Sequence, residues 1–147
     1  MISLFVLLGS FIGFRLAGAL GVDAFNGWSA SGRWALAAMF IFTGMSHFFP
    51  AMRQDFIRMV PPVLGAPGFW VAFTGACEIA GALGLLFPST RPYAAWALAA
   101  LLIALFPANF YAASKGLTLA GREAAPLMVR APMQVLYIAW AIWVARS

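Results

Sequence analysis

Few residues in this chain are of a type that moves a proton or holds a polar ligand, and five of them fall inside or at the ends of apolar runs: His47, Glu78, Asn109, Arg130 and Gln134. A polar side chain in hydrocarbon is costly unless it finds a partner, so each of these marks a structural contact or a site. Histidine and glutamate exchange protons, asparagine and glutamine both donate and accept, and arginine favours an anion. Together they suit a small hydrophobic molecule with a polar head, a quinone being the leading candidate. Tyr137 shares a helix face with Arg130 and Gln134 and joins them as a sixth candidate. For Glu78 and Arg130 two readings stand open: an ion pair that pins two helices together, or a pair that handles protons or anchors a ligand. Asn109 follows Pro107, and its simplest role is to satisfy the backbone that the proline leaves unpaired.

Other chemistries lack their residues. One histidine per chain excludes bis-histidine haem, leaving only His/Met ligation formally open through the seven methionines. No zinc-ligand spacing occurs, so no metal site is expected. Cys77 is the single cysteine and forms no internal disulfide. P-loop, dinucleotide fingerprint, nucleophilic triad and paired glycosidase carboxylates are all missing, which removes kinase and hydrolase readings.

The elements that must position these residues follow from composition. The 147 residues are 64% hydrophobic and 9% charged, with mean hydropathy +0.92, more apolar surface than a soluble domain of this length buries. A membrane span takes about 20 apolar residues. Five runs qualify, 2–22, 33–49, 68–87, 92–113 and 127–145, separated by proline, glycine or charge. The expectation is an all-α polytopic membrane bundle of five spans in a single domain, 1–147, with termini on opposite sides. Ala17-Gly18-Ala19 has the outline of a signal-peptidase site, but no Lys or Arg precedes the apolar run and Arg15 sits late in it, so the first helix is read as retained. Arg15 either snorkels to the nearer interface or faces the bundle.

Let side A be the N-terminal end of the first span. Arg53, Arg58, Lys115, Arg122 and Arg130 then fall on side A, and Arg33, Arg91 and Arg146 on side B. The excess of basic residues predicts a cytoplasmic side A and N-terminus. With Arg15 these make nine basic residues, scattered singly between apolar runs, which excludes a nucleic-acid partner. Trp28, Trp34, Trp96, Trp140 and Trp143 lie near side B and Trp70 near side A, where amphipathic rings prefer to sit. The connection 50–67 carries Met52, Phe56, Met59 and Val60 at helical spacing against Arg53, Gln54, Asp55 and Arg58, and stops at Pro61-Pro62. It predicts a short helix lying flat on side A. The polar candidates all populate the side-A half, which predicts one cavity there, floored by Glu78, lined by His47, Asn109, Gln134 and Tyr137, and covered in part by 51–60.

Five stretches carry a family likeness: Thr43-Gly44-Met45-Ser46-His47-Phe48, Met59-Val60-Pro61-Pro62, the run from Thr74-Gly75-Ala76-Cys77-Glu78 to Leu85, Pro107-Ala108-Asn109, and Arg130-Ala131-Pro132-Met133-Gln134. In this order they resemble the DoxX family of small integral membrane proteins. The resemblance implies a four-helix core over 31–147, with 1–30 an added N-terminal helix and loop, and a bacterial inner (plasma) membrane location. It implies a redox association and, if the chain is catalytic, a subunit of a membrane quinone-linked oxidoreductase. Expected partners are membrane lipid, a hydrophobic small molecule, and a soluble redox partner or a second copy of the chain. Two other functions stand beside this one: transport or handling of small molecules or lipid, and a structural membrane subunit that docks a soluble partner.

Overall fold

The computed structural model describes residues 2–119, 122–123 and 125–147. Six helices follow in order: α1 (Ile2–Ala19), α2 (Trp28–Ser46), α3 (Pro50–Met59), α4 (Pro67–Leu86), α5 (Arg91–Ser114) and α6 (Leu127–Ala145). A minimal hairpin, β1 (Thr118–Leu119) antiparallel to β2 (Arg122–Glu123), joins α5 to α6 in what the sequence predicts as loop.

Four of the helices, α1, α4, α5 and α6, are each long and apolar enough to cross a membrane, and α2 with α3 qualifies as a fifth, broken span bent by 89°. Proline writes that break. Phe49 is extended and Pro50 opens α3, because the ring leaves no N–H to continue α2 while suiting a first turn. The second long apolar helix thus covers 28–46, where 33–49 is expected from sequence. Gly27, at φ +104, turns the chain, and α2 begins directly after it, carrying Arg33 within its first turns. At the far end of α5, Gly116 takes φ +59. Leu117 N–H then reaches the Ala112 carbonyl at 3.1 Å and Gly116 N–H that of Ala113 at 3.4 Å, closing the helix end.

α2 packs on α1 and α4, α5 packs on α4 and α6, and a lighter contact between α2 and α6 closes the ring. The core contains Leu36, Met39 and Phe40 of α2, Ala82 and Leu85 of α4, Ala95 and Leu98 of α5, and Tyr137, Ala141 and Val144 of α6, with Leu7 of α1. Small side chains such as Ala82, Ala95 and Ala141 set among the larger ones let the helices approach closely. Outward faces carry large apolar residues, among them Phe5, Ile12, Phe73, Leu83, Ile103 and Val135, the pattern of a bundle whose solvent is hydrocarbon. Arg15 lies over the Trp28 ring at 4.9 Å, so its charge turns to the side-B end.

Candidate functional site

α2 and α4 meet through glycine. A Cβ on Gly44 would stand 2.9 Å from the Gly75 carbonyl oxygen, and one on Gly75 would stand 2.7 Å from His47 Cβ. Only glycine on both helices permits this approach, and it aims Glu78 at α2. Thr43 Oγ1 donates to Glu78 Oε2 at 2.6 Å, and His47 Nε2 lies 3.8 Å from Glu78 Oε1. Glu78 is only 5% exposed and His47 8%. The other ring nitrogen, His47 Nδ1, is 2.9 Å from the Val71 carbonyl. A carbonyl only accepts, so Nδ1 carries the hydrogen and Nε2 of the neutral ring faces the carboxyl bare. Thr74 Oγ1 is 3.4 Å from the same Nδ1, and Phe56 of α3 stacks on the imidazole with ring centroids 4.4 Å apart.

This cluster accommodates a proton in more than one place. Thr43 Oγ1 also lies 3.1 Å from the Met39 carbonyl. Its single hydrogen can serve a carboxylate at Glu78, or turn to Met39 while the hydroxyl oxygen accepts from a protonated Glu78. His47 Nε2 is a second proton acceptor across a short gap.

A second network joins α5 to α6. Arg130 Nη1 donates to Asn109 Oδ1 at 2.8 Å, Asn109 Nδ2 donates to Gln134 Oε1 at 3.0 Å, and Gln134 Nε2 donates to the Leu102 carbonyl. Every donor points the same way, away from the guanidinium, so the chain of bonds is polarised by a fixed charge. Tyr137 belongs to neither network: its hydroxyl is 3.0 Å from that of Ser3 and ties α6 to α1.

Three expectations are corrected by this arrangement. Glu78 and Arg130 form no ion pair; the glycine contact turns Glu78 toward α2, while α6 packs along α5 and turns Arg130 toward Asn109. Asn109 does not serve the Ile103 carbonyl that Pro107 leaves unpaired; its side chain bonds Gln134 and Arg130 instead. In place of one group around a cavity floored by Glu78, the polar candidates form separate networks, and neither of two outward depressions is lined by Glu78 or His47. One depression, about 290 Å³, lies among Met45, Phe48, Phe49 and Ile79. The other, about 340 Å³, is a groove between α5 and α6 lined by Ile103, Phe106, Pro107, Ala131, Gln134, Val135 and Ile138. The short helix expected over 51–60 is present as α3, bent by 89° from α2, with Met59 buried and Phe56 over His47.

Thr43, Thr74, Phe56 and Ser3 complete these contacts without having been candidates. Thr74 stands four residues before Glu78 and Thr43 four before His47, so helical spacing alone placed both hydroxyls on the right faces. No local signal could have paired Ser3 with Tyr137, 134 residues away.

A small helical bundle with apolar outward faces and two internal polar networks is therefore the class that the fold and site define. Residues 36–145 match DUF8561, a domain of unknown function, and the chain belongs to that family. The match begins inside α2 and ends in α6, leaving α1 outside it. No curated protein and no solved structure matches the chain.

Proposed function

We propose that this chain is a redox-associated integral membrane protein that binds a hydrophobic molecule with a polar head, a quinone being the leading candidate, in the groove between α5 and α6. One observation carries the proposal: Gln134 lines that groove and is also the last side chain of the network anchored on Arg130. Its amide has two N–H groups and two acceptor positions; Leu102 uses one donor and Asn109 one acceptor site. These two bonds leave one N–H and one lone pair of the amide uncommitted, a match for a ring carbonyl or its reduced hydroxyl. The guanidinium behind the network strengthens the remaining donor. At about 340 Å³ the groove has room for a substituted ring, and its apolar walls open toward the acyl chains where an isoprenoid tail resides. A bound quinone would supply two-electron, two-proton redox chemistry to a partner protein. The motif resemblance to the DoxX family supports the redox association.

Titration of a short-chain quinone into the protein in lipid nanodiscs, followed by tryptophan quenching, tests this. Saturable quenching is expected, weakened about tenfold in Gln134→Leu, the worth of one hydrogen bond. Non-saturable quenching in the wild type, or identical binding by the variant, overturns it.

Lipid handling is a second reading, favoured by the depression at Met45, Phe48, Phe49 and Ile79, which is apolar throughout. Mass spectrometry of molecules carried through purification separates the two readings, since a retained phospholipid without a quinone favours the second.

A further inference from the structure

Glu78 and His47 line neither outward depression, so the chemistry of this pair stands apart from anything the groove binds. With the Nδ1 hydrogen committed to the Val71 carbonyl, Nε2 turns a lone pair toward Glu78 Oε1 across 3.8 Å. Two acceptors that face one another gain nothing until a hydrogen comes between them. The other carboxyl oxygen, Oε2, is already met by Thr43 Oγ1. The pair thus offers one unfilled hydrogen position, and either group is able to carry it. His47 follows the last residue of α2, and its side chain keeps 10% exposure against 6% for Glu78. Phe56 stacks on a face of the imidazole with the planes 24° apart, which leaves the ring edge, where the nitrogens are, as the way in for a proton from water.

Charge counting reaches the same number. A neutral imidazole beside a carboxylate leaves one negative charge between α2 and α4. One proton cancels it, as imidazolium with carboxylate or as imidazole with carboxylic acid, and a second proton leaves a positive charge. A poorly hydrated interior favours the neutral state. Charges on the elements packed around the pair are directed elsewhere. On α3, Arg58 lies 3.5 Å from Asp55, and Arg53 Nη2 comes within 3.5 Å of where a Cβ on Gly68 would stand. On α4, Cys77 points about 100° round the helix from Glu78. Arg15 of α1 rests on the Trp28 ring, and Arg130 of α6 bonds Asn109. Arg33 of α2 and Arg91 of α5 sit at the opposite ends of their helices, while the near end of α5 carries Tyr111 and an exposed Lys115 follows it. Among the described residues His47 forms an ion pair with Glu78 and with no other carboxylate. We propose that His47 and Glu78 together form a site that binds and releases a single proton. The proton is exchanged with water at Nε2. Thr43 follows its movement, donating to Oε2 while Glu78 is ionised and turning to the Met39 carbonyl when Glu78 is the acid.

The chain has one histidine, and Glu123→Gln leaves Glu78 as its one glutamate. Full-length protein with that change, isotope-labelled at the histidine nitrogens and the glutamate carboxyl carbon and held in lipid nanodiscs, shows each partner as its own NMR signal across about pH 5 to 9. Wild-type protein gives the same readouts with one added carboxyl signal from Glu123. The neutral ring is expected to carry its hydrogen on Nδ1, and both signals should move at a common midpoint, because a shared proton titrates as a property of the pair. Adding Glu78→Gln should lower the His47 midpoint by about one pH unit or more, a tenfold loss of proton affinity. The first two readouts come from protein that retains Glu78, so they decide the matter even where Glu78→Gln does not fold. A hydrogen on Nε2 of the neutral ring, separate midpoints for the two groups, or a His47 midpoint unmoved by Glu78→Gln overturns the site. Signals that stay constant over the whole range overturn it too, and make the pair a fixed structural contact.

Discussion

The hydroxyl of Thr43 donates to Glu78 Oε2 at 2.6 Å, at the level where Gly44 and Gly75 bring α2 and α4 into backbone contact. The bond and the close approach depend on each other. Without the glycines the carboxyl would stand too far from α2, and without the hydroxyl the close contact would bury an acid whose best donor is missing.

Removing that donor should therefore destabilise the bundle. Thr43→Val is expected to cost about 1–3 kcal/mol, the penalty for a buried acceptor left unmade. Combined with Glu78→Leu the loss should fall short of the sum by about 0.5 kcal/mol or more, since both changes break one bond. Reversible unfolding in mixed micelles measures both quantities, and strict additivity would dissolve the pairing.

Glycine at the α2–α4 contact should be irreplaceable, while a glycine that faces open space, such as Gly13, should not be. Gly75→Ala drives a Cβ against His47 and the Gly44 carbonyl, and a cost of about 1–3 kcal/mol is expected from the forced separation. Gly13→Ala in α1 meets nothing within 4 Å and should leave stability unchanged or improved, as helix propensity favours alanine. The same micelle assay compares them, and equal effects would contradict the close approach.

The two polar networks share no hydrogen-bond partner, and energetics should keep them apart. Arg130→Met strands Asn109 Oδ1 and is expected to cost about 1–3 kcal/mol. Adding Thr43→Val should be additive within about 0.5 kcal/mol, whereas adding Asn109→Leu should not be. Strong coupling between Arg130 and Thr43 would restore the single site that the sequence suggests.

Orientation follows from where single cysteines react. In a Cys77→Ser background, Thr118→Cys and Ser147→Cys bracket α6 and should be labelled from opposite faces of the membrane, with position 118 cytoplasmic on the excess of basic residues at side A. Impermeant maleimide applied to right-side-out cells reads this directly. Labelling of 118 alone from outside would invert the topology, and labelling of both would take α6 out of the membrane.

Composition and periodicity sufficed for an all-helical chain with four to five helices apolar enough to span a membrane, for the short helix that became α3, and for the faces on which Thr43, Gly44 and His47 or Arg130, Gln134 and Tyr137 lie, because hydropathy and the 3.6-residue turn are local properties. The same reasoning marked His47, Glu78, Asn109, Arg130 and Gln134 as residues in need of partners, since the cost of a bare polar group in hydrocarbon does not depend on the fold. Which partner each one takes was decided only by tertiary structure. Glu78 could meet Arg130 or Thr43 with equal local logic, and the choice fell to the glycine contact that presses α4 on α2 and the packing that lays α6 along α5. Helix neighbours are set by the summed fit of whole faces, a long-range quantity that no single spacing in the chain encodes.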